Sequence, residues 1–397
     1  MGVVQFNFPT PIKYGPGAIK LLPELLREHN IARPLIVTDR ALAQLPPVIA
    51  TVKLLSDAGL SVSVFSGVWG NPTVSQADAG ADAYTAHKAE GIVAIGGGAA
   101  LDVAKCVAVL AHHPRPLLAY EAFLPNPKAI DLAVPSIITV PTTAGTGSEV
   151  GRSAVVSEDD THQKKIIFSP KLLAKRVILD PELTLALPAK VTAATGMDAL
   201  THCVESYLHP AFHPMCDGIA LEGLRLIARS LPRAVSYAQK SDAGDASVGD
   251  VPEHVTARGE MLCAAMMGAV AFQKDLGVVH SCAHSLSTVA DLHHGLANGI
   301  MIVAGMRFNK SVTAEKMAVM AEVVGAPQKT ADGFIAWLEQ FRASIGIPSS
   351  LRAVGVKDEQ VAALVKNALA DACHTFNPRQ PVTANDFEAL FREALAG

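Results

Sequence analysis

The chain changes character at Asp180-Pro181, and that change constrains the fold more than any other feature. Before it, short β-rich runs recur: Leu35–Asp39, Leu60–Phe65, Gly91–Ile95 and Ser136–Val140. Between them lie stretches with helical spacing, Ala41–Ala58, Thr73–Ala89 and Ala99–His112. Strands alternating with helices of this length predict a parallel, doubly wound α/β sheet. The segments Ser153–Ser157 and Lys164–Phe168 read as hairpin strands. From Leu187 to Gly397 nearly every segment is rich in Ala, Leu and Met, and β-branched runs are few. The polar stretch Ser236–Val251 reads as a surface loop. The expected layout is an α/β domain over residues 1–185 and an all-α domain over residues 186–397.

The 397 residues suffice for two domains, and half of them are apolar while only 18% are charged. Such a composition excludes a disordered chain, which needs low hydrophobicity and high charge. A net charge of −4 with scattered Lys and Arg offers no basic stripe for nucleic acid or an anionic membrane. The longest apolar run, Met261–Phe272, is shorter than a membrane span, and the N-terminus lacks the pattern of a secretory signal. Six cysteines without a CxxC pair read as free thiols in a reducing cytoplasm.

Two loops in the first half suit a phosphate. The strand Gly91–Ile95 runs into Gly96-Gly97-Gly98-Ala99, with Asp102 and Lys105 on the helix that follows. Glycines at a strand-to-helix turn admit a pyrophosphate to the unpaired N–H groups and positive dipole end of the helix. A tight turn without a ligand is the plainer alternative, and the pattern is not GxGxxG. The second loop, Pro141 to Glu149, carries the hydroxyls of Thr142, Thr143, Thr146 and Ser148. Hydroxyls in such number at the mouth of a strand call for a polar partner. Together the loops place a dinucleotide at the carboxyl ends of parallel strands. Asp39, closing the first strand, can accept hydrogen bonds from a ribose and repel a 2′-phosphate, or simply cap the next helix. Lys164 and Lys165 can neutralise phosphate or stand as an exposed basic pair.

The second half holds an unusual concentration of histidine. Of fourteen in the chain, His280, His284, His293 and His294 fall within fifteen residues, and His202 lies upstream. Asp198 and His202 are four apart on a helical segment, as are His280 and His284, so each pair shares a helix face. A lone imidazole on such helices is ordinarily a hydrogen-bonded core residue. A carboxylate with several imidazoles instead suits Fe²⁺ or Zn²⁺, whereas the all-oxygen set for Mg²⁺ or Ca²⁺ is missing. Cys203 and Cys282 neighbour these histidines, but helix geometry turns their thiols away. Spacing alone leaves open which of the histidines are ligands.

These motifs make the chain similar to the iron-containing (group III) alcohol dehydrogenases. The resemblance runs nearly end to end. It takes in Gly96-Gly97-Gly98 with Asp102 and Lys105, Pro141 to Glu149, Asp180-Pro181, and Gly196-x-Asp198-Ala-Leu-x-His202-x-x-Glu205. It continues through His280-x-x-x-His284, His294-Gly295-x-x-Asn298 and Asn377-Pro378-Arg379. The resemblance implies a dehydroquinate synthase-like fold, with Asp198, His202, His280 and His294 as metal ligands and His284 as a catalytic proton carrier. It implies cofactor contacts at Gly97, Gly98, Thr142, Thr143, Thr146, Ser148 and Lys165, and Asp39 favouring NAD over NADP. Iron, Fe²⁺, is the implied metal, with Zn²⁺ also compatible. Three positions depart from the family pattern: Ala99 replaces a usual Ser, Ser285 a Pro, and Gly299 an Ala.

The implied reaction is hydride transfer between a small alcohol and the nicotinamide, in a cleft between the domains, with the metal as Lewis acid. A small primary alcohol, diol or hydroxy acid, or the corresponding aldehyde, is the expected substrate. A homodimer is implied, formed through the N-terminal strand region Val3–Tyr14. The alternatives are a glycerol dehydrogenase- or dehydroquinate synthase-like enzyme and a non-catalytic nucleotide- or metal-binding protein. A dehydroquinate synthase needs several basic residues near the metal for a phosphorylated substrate, and few are present.

Overall fold

The structure, a computed structural model, describes residues 10–397. Most of the proposed dimer strand, residues 3–9, lies outside these. The chain divides into two compact units at Leu185/Ala186, with Ala144–Thr146 grouping with the second.

The first unit runs β1 (Ile12–Tyr14), α1 (Leu22–Glu28), β2 (Pro34–Asp39), α2 (Pro46–Asp57), β3 (Ser63–Val68), α3 (Val74–His87), β4 (Gly91–Gly96), α4 (Gly98–Leu110) and β5 (Ser136–Pro141). It ends with β6 (Ser153–Ser157), β7 (Lys164–Phe168) and β8 (Arg176–Leu179). Six strands form one sheet in the order β1-β8-β5-β4-β2-β3, and every pairing in it is parallel. The apolar runs are unbroken because both faces are covered. Ile36, Val93 and Ile95 pack on one side with Leu25, Leu26, Val48 and Leu55 of α1 and α2. Leu35, Val37, Ile92 and Ala94 pack on the other with Tyr84, Leu101, Ala104 and Val107 of α3 and α4. The sheet is therefore doubly wound. Its strand order reverses between β2 and β4, and the carboxyl ends flanking such a reversal are where open α/β sheets bind ligands.

Strands β6 and β7 form a separate antiparallel hairpin with the expected bounds. Strand β3 sits three residues later than Leu60–Phe65, because its register with β2 pairs Leu35 with Ser63 and carries pairing on to Val68. Asp180 is fully buried and satisfied locally: its carboxylate accepts from Gly17, Ile19 and Glu182 N–H at 3.0–3.2 Å.

The second unit is helical: α5 (Ala189–Leu208), α6 (Pro214–Asp242), α7 (Pro252–Ala271), α8 (Val278–Ala290), α9 (His294–Val323), α10 (Ala331–Ser344), α11 (Val361–Ala370) and α12 (Ala384–Ala396). The segment expected to be a loop from Ser236 is helical through Asp242, and the turn comes only at Gly244, with φ +92°. Helix α5 is the central element, buried along nearly its whole length. Small residues let its neighbours in. A Cβ on Gly196 would lie 2.3 Å from Leu231 of α6, and one on Gly295 would lie 2.2 Å from the Ala194 carbonyl. Helix α7 with its 3-10 extension, Pro252–Lys274, is long and apolar enough to cross a membrane, although the longest apolar run within it is shorter. More than half of that window is buried within the protein, against the other core helices.

Candidate active site

Helix α5 presents Asp198 and His202 one turn apart on one face, α8 presents His280, and α9 begins with His294. The ligating atoms of Asp198, His280 and His294 all lie within 4.8 Å of one another, and His202 joins them from the Asp198 side. The Nε2 atoms of His294, His280 and His202 lie 3.3, 3.7 and 3.8 Å from the single oxygen Asp198 Oδ1. The last two distances are too long for hydrogen bonds. A tetrahedral site with ligand bonds of about 2.0–2.2 Å has ligand atoms about 3.3–3.6 Å apart, and the separations from Asp198 Oδ1 come near that, His294 most nearly. Asp198, His202 and His280 are each at least 95% buried. Burial alone would raise the Asp198 carboxyl, yet the electrostatic pull of the surrounding histidines, His202, His294 and His280, holds it well below the usual range. Burial pushes His202 down toward its neutral, ligating form. A buried carboxylate oxygen with three imidazole Nε2 atoms gathered 3.3–3.8 Å from it fits a divalent cation.

Two residues that the sequence reading gave no role support this cluster. Glu205, seven residues after Asp198 and so on the same face of α5, accepts from His280 Nδ1 at 2.6 Å. Asn298, fully buried, donates from Nδ2 to Asp198 Oδ1 at 2.8 Å. The i, i+4, i+7 spacing of Asp198, His202 and Glu205 was the available signal for the first. Cys203 and Cys282 stand apart as expected. Cys203 packs in the apolar core, with its sulfur 2.8 Å from where a Cβ on Gly223 would lie, and burial pushes its thiol up to about 12.

His284 sits beside the cluster. Its ring stacks on His294 with centroids 5.1 Å apart, and its Nδ1 lies 2.8 Å from Asp371 Oδ2. Asp371 also accepts from Ser281 Oγ at 2.7 Å and Cys373 N at 2.9 Å. Burial works against its charge, but His284 beside it and these hydrogen bonds hold its carboxyl well below the usual range. Asp371 is therefore an acceptor, His284 Nδ1 carries the proton, and the basic lone pair belongs to Nε2. Asp371 lies 87 residues from His284 in sequence, and no local pattern announces it.

In the α/β unit, Gly97 precedes the first turn of α4 and no side chain caps its N–H groups. Gly96 has φ +150°, and a Cβ there would lie 2.8 Å from that of Ala100, so the turn demands glycine. A Cβ on Gly97 would meet Thr143 at 3.4 Å, while Thr142 N–H donates to the Gly96 carbonyl at 3.0 Å. Gly97, Gly98, Thr142 and Thr143 thus come together at the ends of β4 and β5. Asp39 closes β2, the strand next to β4. Its Oδ1 accepts from Leu42 N–H at 2.8 Å, and its Oδ2 faces Gly96. It caps a turn and still presents an oxygen toward the glycine loop.

Two of the expected cofactor residues have partners within the chain. The Ser148 hydroxyl donates to Asp102 at 2.5 Å and accepts from Lys105 Nζ at 2.7 Å. Lys105 is buried and also donates to the Ser153 carbonyl at 2.7 Å, so this network ties the loop to α4 and β6. Lys165 lies on the β6–β7 hairpin with Nζ 3.6 Å from Glu121. Thr146 falls in the short segment that groups with the helical unit, where Gly145 lies so close to Thr195 that a Cβ would be 2.9 Å away.

Residues 9–181 match the iron-containing alcohol dehydrogenase family, and residues 192–395 match the C-terminal part of the same family. The 4-hydroxybutyrate dehydrogenase of Cupriavidus necator is 36% identical over 390 residues, 96% of each chain. The NAD-dependent methanol dehydrogenase of Bacillus methanolicus is 31% identical over 99% of this chain and all of its own length. Among solved structures, a 1,3-propanediol oxidoreductase superposes with a TM-score of 0.90 at 33% identity, covering 99% of this chain and 100% of its own. With both halves of the family matched and the carboxylate–imidazole cluster assembled, the chain belongs to the iron-containing alcohol dehydrogenase family and is an alcohol oxidoreductase.

Proposed function

We propose that this enzyme interconverts a small primary alcohol, diol or hydroxy acid and its aldehyde, using NAD(H) and a divalent cation, Fe²⁺ with Zn²⁺ as the compatible substitute. The observation that carries the reading is the approach of three imidazole Nε2 atoms to one buried oxygen, Asp198 Oδ1, at 3.3–3.8 Å. When bound, the cation supplies Lewis acidity toward the alcohol oxygen, and NAD⁺ is the hydride acceptor.

The remaining work falls to the chain. Asp198, His202, His280 and His294 hold the cation. His284 takes the alcohol proton at Nε2 and passes it outward, with Asp371 fixing the ring and its tautomer. Gly97, Gly98, Thr142 and Thr143 receive the pyrophosphate at the start of α4, and the Asp39 carboxylate accepts from the ribose. Its negative charge disfavours the 2′-phosphate of NADP. Ser148 holds the loop through Asp102 and Lys105, Thr146 adds a hydroxyl on the nicotinamide side, and Lys165 neutralises phosphate. Relatives that act on methanol and on 4-hydroxybutyrate support a short aliphatic substrate bearing a primary hydroxyl. Six free cysteines suit a reducing cytoplasm.

The test is a panel of short alcohols, diols and hydroxy acids, followed by the appearance of NADH. Turnover of at least one with NAD⁺, and a clear preference over NADP⁺ that Asp39→Gly weakens, is expected. No turnover of any member by metal-replete protein would overturn the proposal.

A further inference from the structure

Helix α8 carries both His280 and His284, and nothing within it caps its start. Its N-cap position is Gly277, which has no side chain to offer. The helix is held from outside by Glu205 of α5. Glu205 Oε1 accepts from Val279 N–H at 2.8 Å, and Oε2 accepts from His280 Nδ1 at 2.6 Å and more weakly from His280 N–H at 3.4 Å. Glu205 is itself 4% exposed. Room for this carboxylate comes from the glycine. A Cβ on Gly277 would lie 2.8 Å from Glu205 Oε1 and 2.9 Å from Asn377 Oδ1. Asn377 continues the arrangement, accepting from Val278 N–H at 3.4 Å and exchanging hydrogen bonds with Asn309 at 2.8–3.0 Å.

We propose that Glu205 is a positioning residue that fixes His280 in the Nδ1–H tautomer and so commits its Nε2 lone pair to the cation site. The inference rests on the reading of Asp198, His202, His280 and His294 as that site. A carboxylate can only accept, so the imidazole nitrogen facing it must carry the proton. The other nitrogen, 3.7 Å from Asp198 Oδ1, is then the donor atom for a metal. Hydrogen bonding to a carboxylate also makes the imidazole a stronger donor, and losing such a partner commonly lowers metal affinity 10–100-fold. One side chain therefore both caps the helix that delivers His280 and sets which nitrogen of His280 faces inward.

The isosteric change Glu205→Gln separates these roles. A glutamine has one acceptor oxygen in place of two. If that oxygen serves Val279 N–H, the NH₂ group faces Nδ1, and His280 must move its proton to Nε2. Wild type, Glu205→Gln and Glu205→Asp should be stripped of metal and titrated with Co²⁺ in competition with a chelator. The visible spectrum of the bound Co²⁺ and the melting temperature of each metal-free protein should be recorded alongside. The expected result is a roughly 10–100-fold weaker Co²⁺ affinity and an altered spectrum for Glu205→Gln, with metal-free melting close to wild type. Glu205→Asp, which keeps the charge on a shorter arm, should fall between. Wild-type affinity and spectrum in Glu205→Gln would overturn the inference, including the case in which only the metal-free melting temperature drops, since the carboxylate would then be a helix cap alone. Wild-type protein that takes up no Co²⁺ would instead bring down the cation-site reading beneath it.

Discussion

Asp275 occupies a backbone conformation that L-residues avoid, and relieving it should stabilise the helical unit. Its φ is +69° and its ψ −179°, a region populated almost entirely by glycine. The other non-glycine residue at positive φ among the described residues of this unit, Asp291, has φ 49° and ψ 32°, the ordinary left-handed region. Holding a side chain in the conformation of Asp275 costs about 1–3 kcal/mol. Its carboxylate has no hydrogen bond or ion pair among the described residues to offset that, and burial raises its pKa. Replacement by glycine removes the strain but adds about 0.4–1 kcal/mol of unfolded-state entropy. Taking the middle of both ranges, the net gain for Asp275→Gly is about 1.3 kcal/mol. The unfolding entropy of a unit of about 210 residues is near 0.45 kcal/mol/K at about 2.1 cal/mol/K per residue, so the melting temperature should rise by about 2–4 °C. Differential scanning calorimetry on metal-free protein measures this directly. Asp275→Ala is the control, because it deletes the carboxylate but keeps the Cβ and hence the strain. If Asp275→Ala stabilises as much as Asp275→Gly, the cause is the carboxylate and not the backbone. If neither variant melts higher, the strain argument fails.

Further outcomes follow from the site. His284→Ala should retain metal while losing most turnover, whereas His280→Ala should lose metal, as read by elemental analysis beside the NADH assay; equal metal content with full activity in both would sink the assignment. Burial raises the Glu149 carboxyl to about 7, so between about pH 4.5 and 7 the folded state binds a proton that the unfolded chain has released. Stability of the α/β unit should accordingly fall as pH rises through that window. Glu149→Gln should melt higher than wild type at pH 8 and alike at pH 4; a difference independent of pH would rule this out.

How much of this was legible in sequence varies with the range over which the physics acts. Local periodicity located β2, β4 and β5, because strands covered on both faces must be apolar throughout. It displaced β3 by three residues, since register is fixed by the neighbouring strand and not by the segment itself. The short strands β1 and β8 carried too few residues to register. Compositional cues turned Ser236–Asp242 into loop because Ser, Asp and Gly favour turns, while packing of α6 on α5 and α7 extends the helix to the glycine at 244. Within the site, Asp198 and His202 stood out through their shared helix face, and Glu205 lay on the same face without being given a role. The roles of Asp371 and Asn298 come from tertiary approach alone, and the bonds of Ser148 to Asp102 and Lys105 span more than forty residues, beyond any local pattern.

The most direct test is metal-dependent turnover in a single preparation. Protein purified without oxygen should be stripped by chelation, assayed with NAD⁺ and its best alcohol, reloaded with Fe²⁺ or Zn²⁺, and assayed again, with Asp198→Asn treated in parallel. NADH formation should vanish on stripping, return on reloading in wild type at about one metal per chain, and stay absent in Asp198→Asn. Undiminished NADH formation by the stripped enzyme, or by Asp198→Asn, would contradict the assignment of the carboxylate–imidazole cluster as the catalytic metal centre.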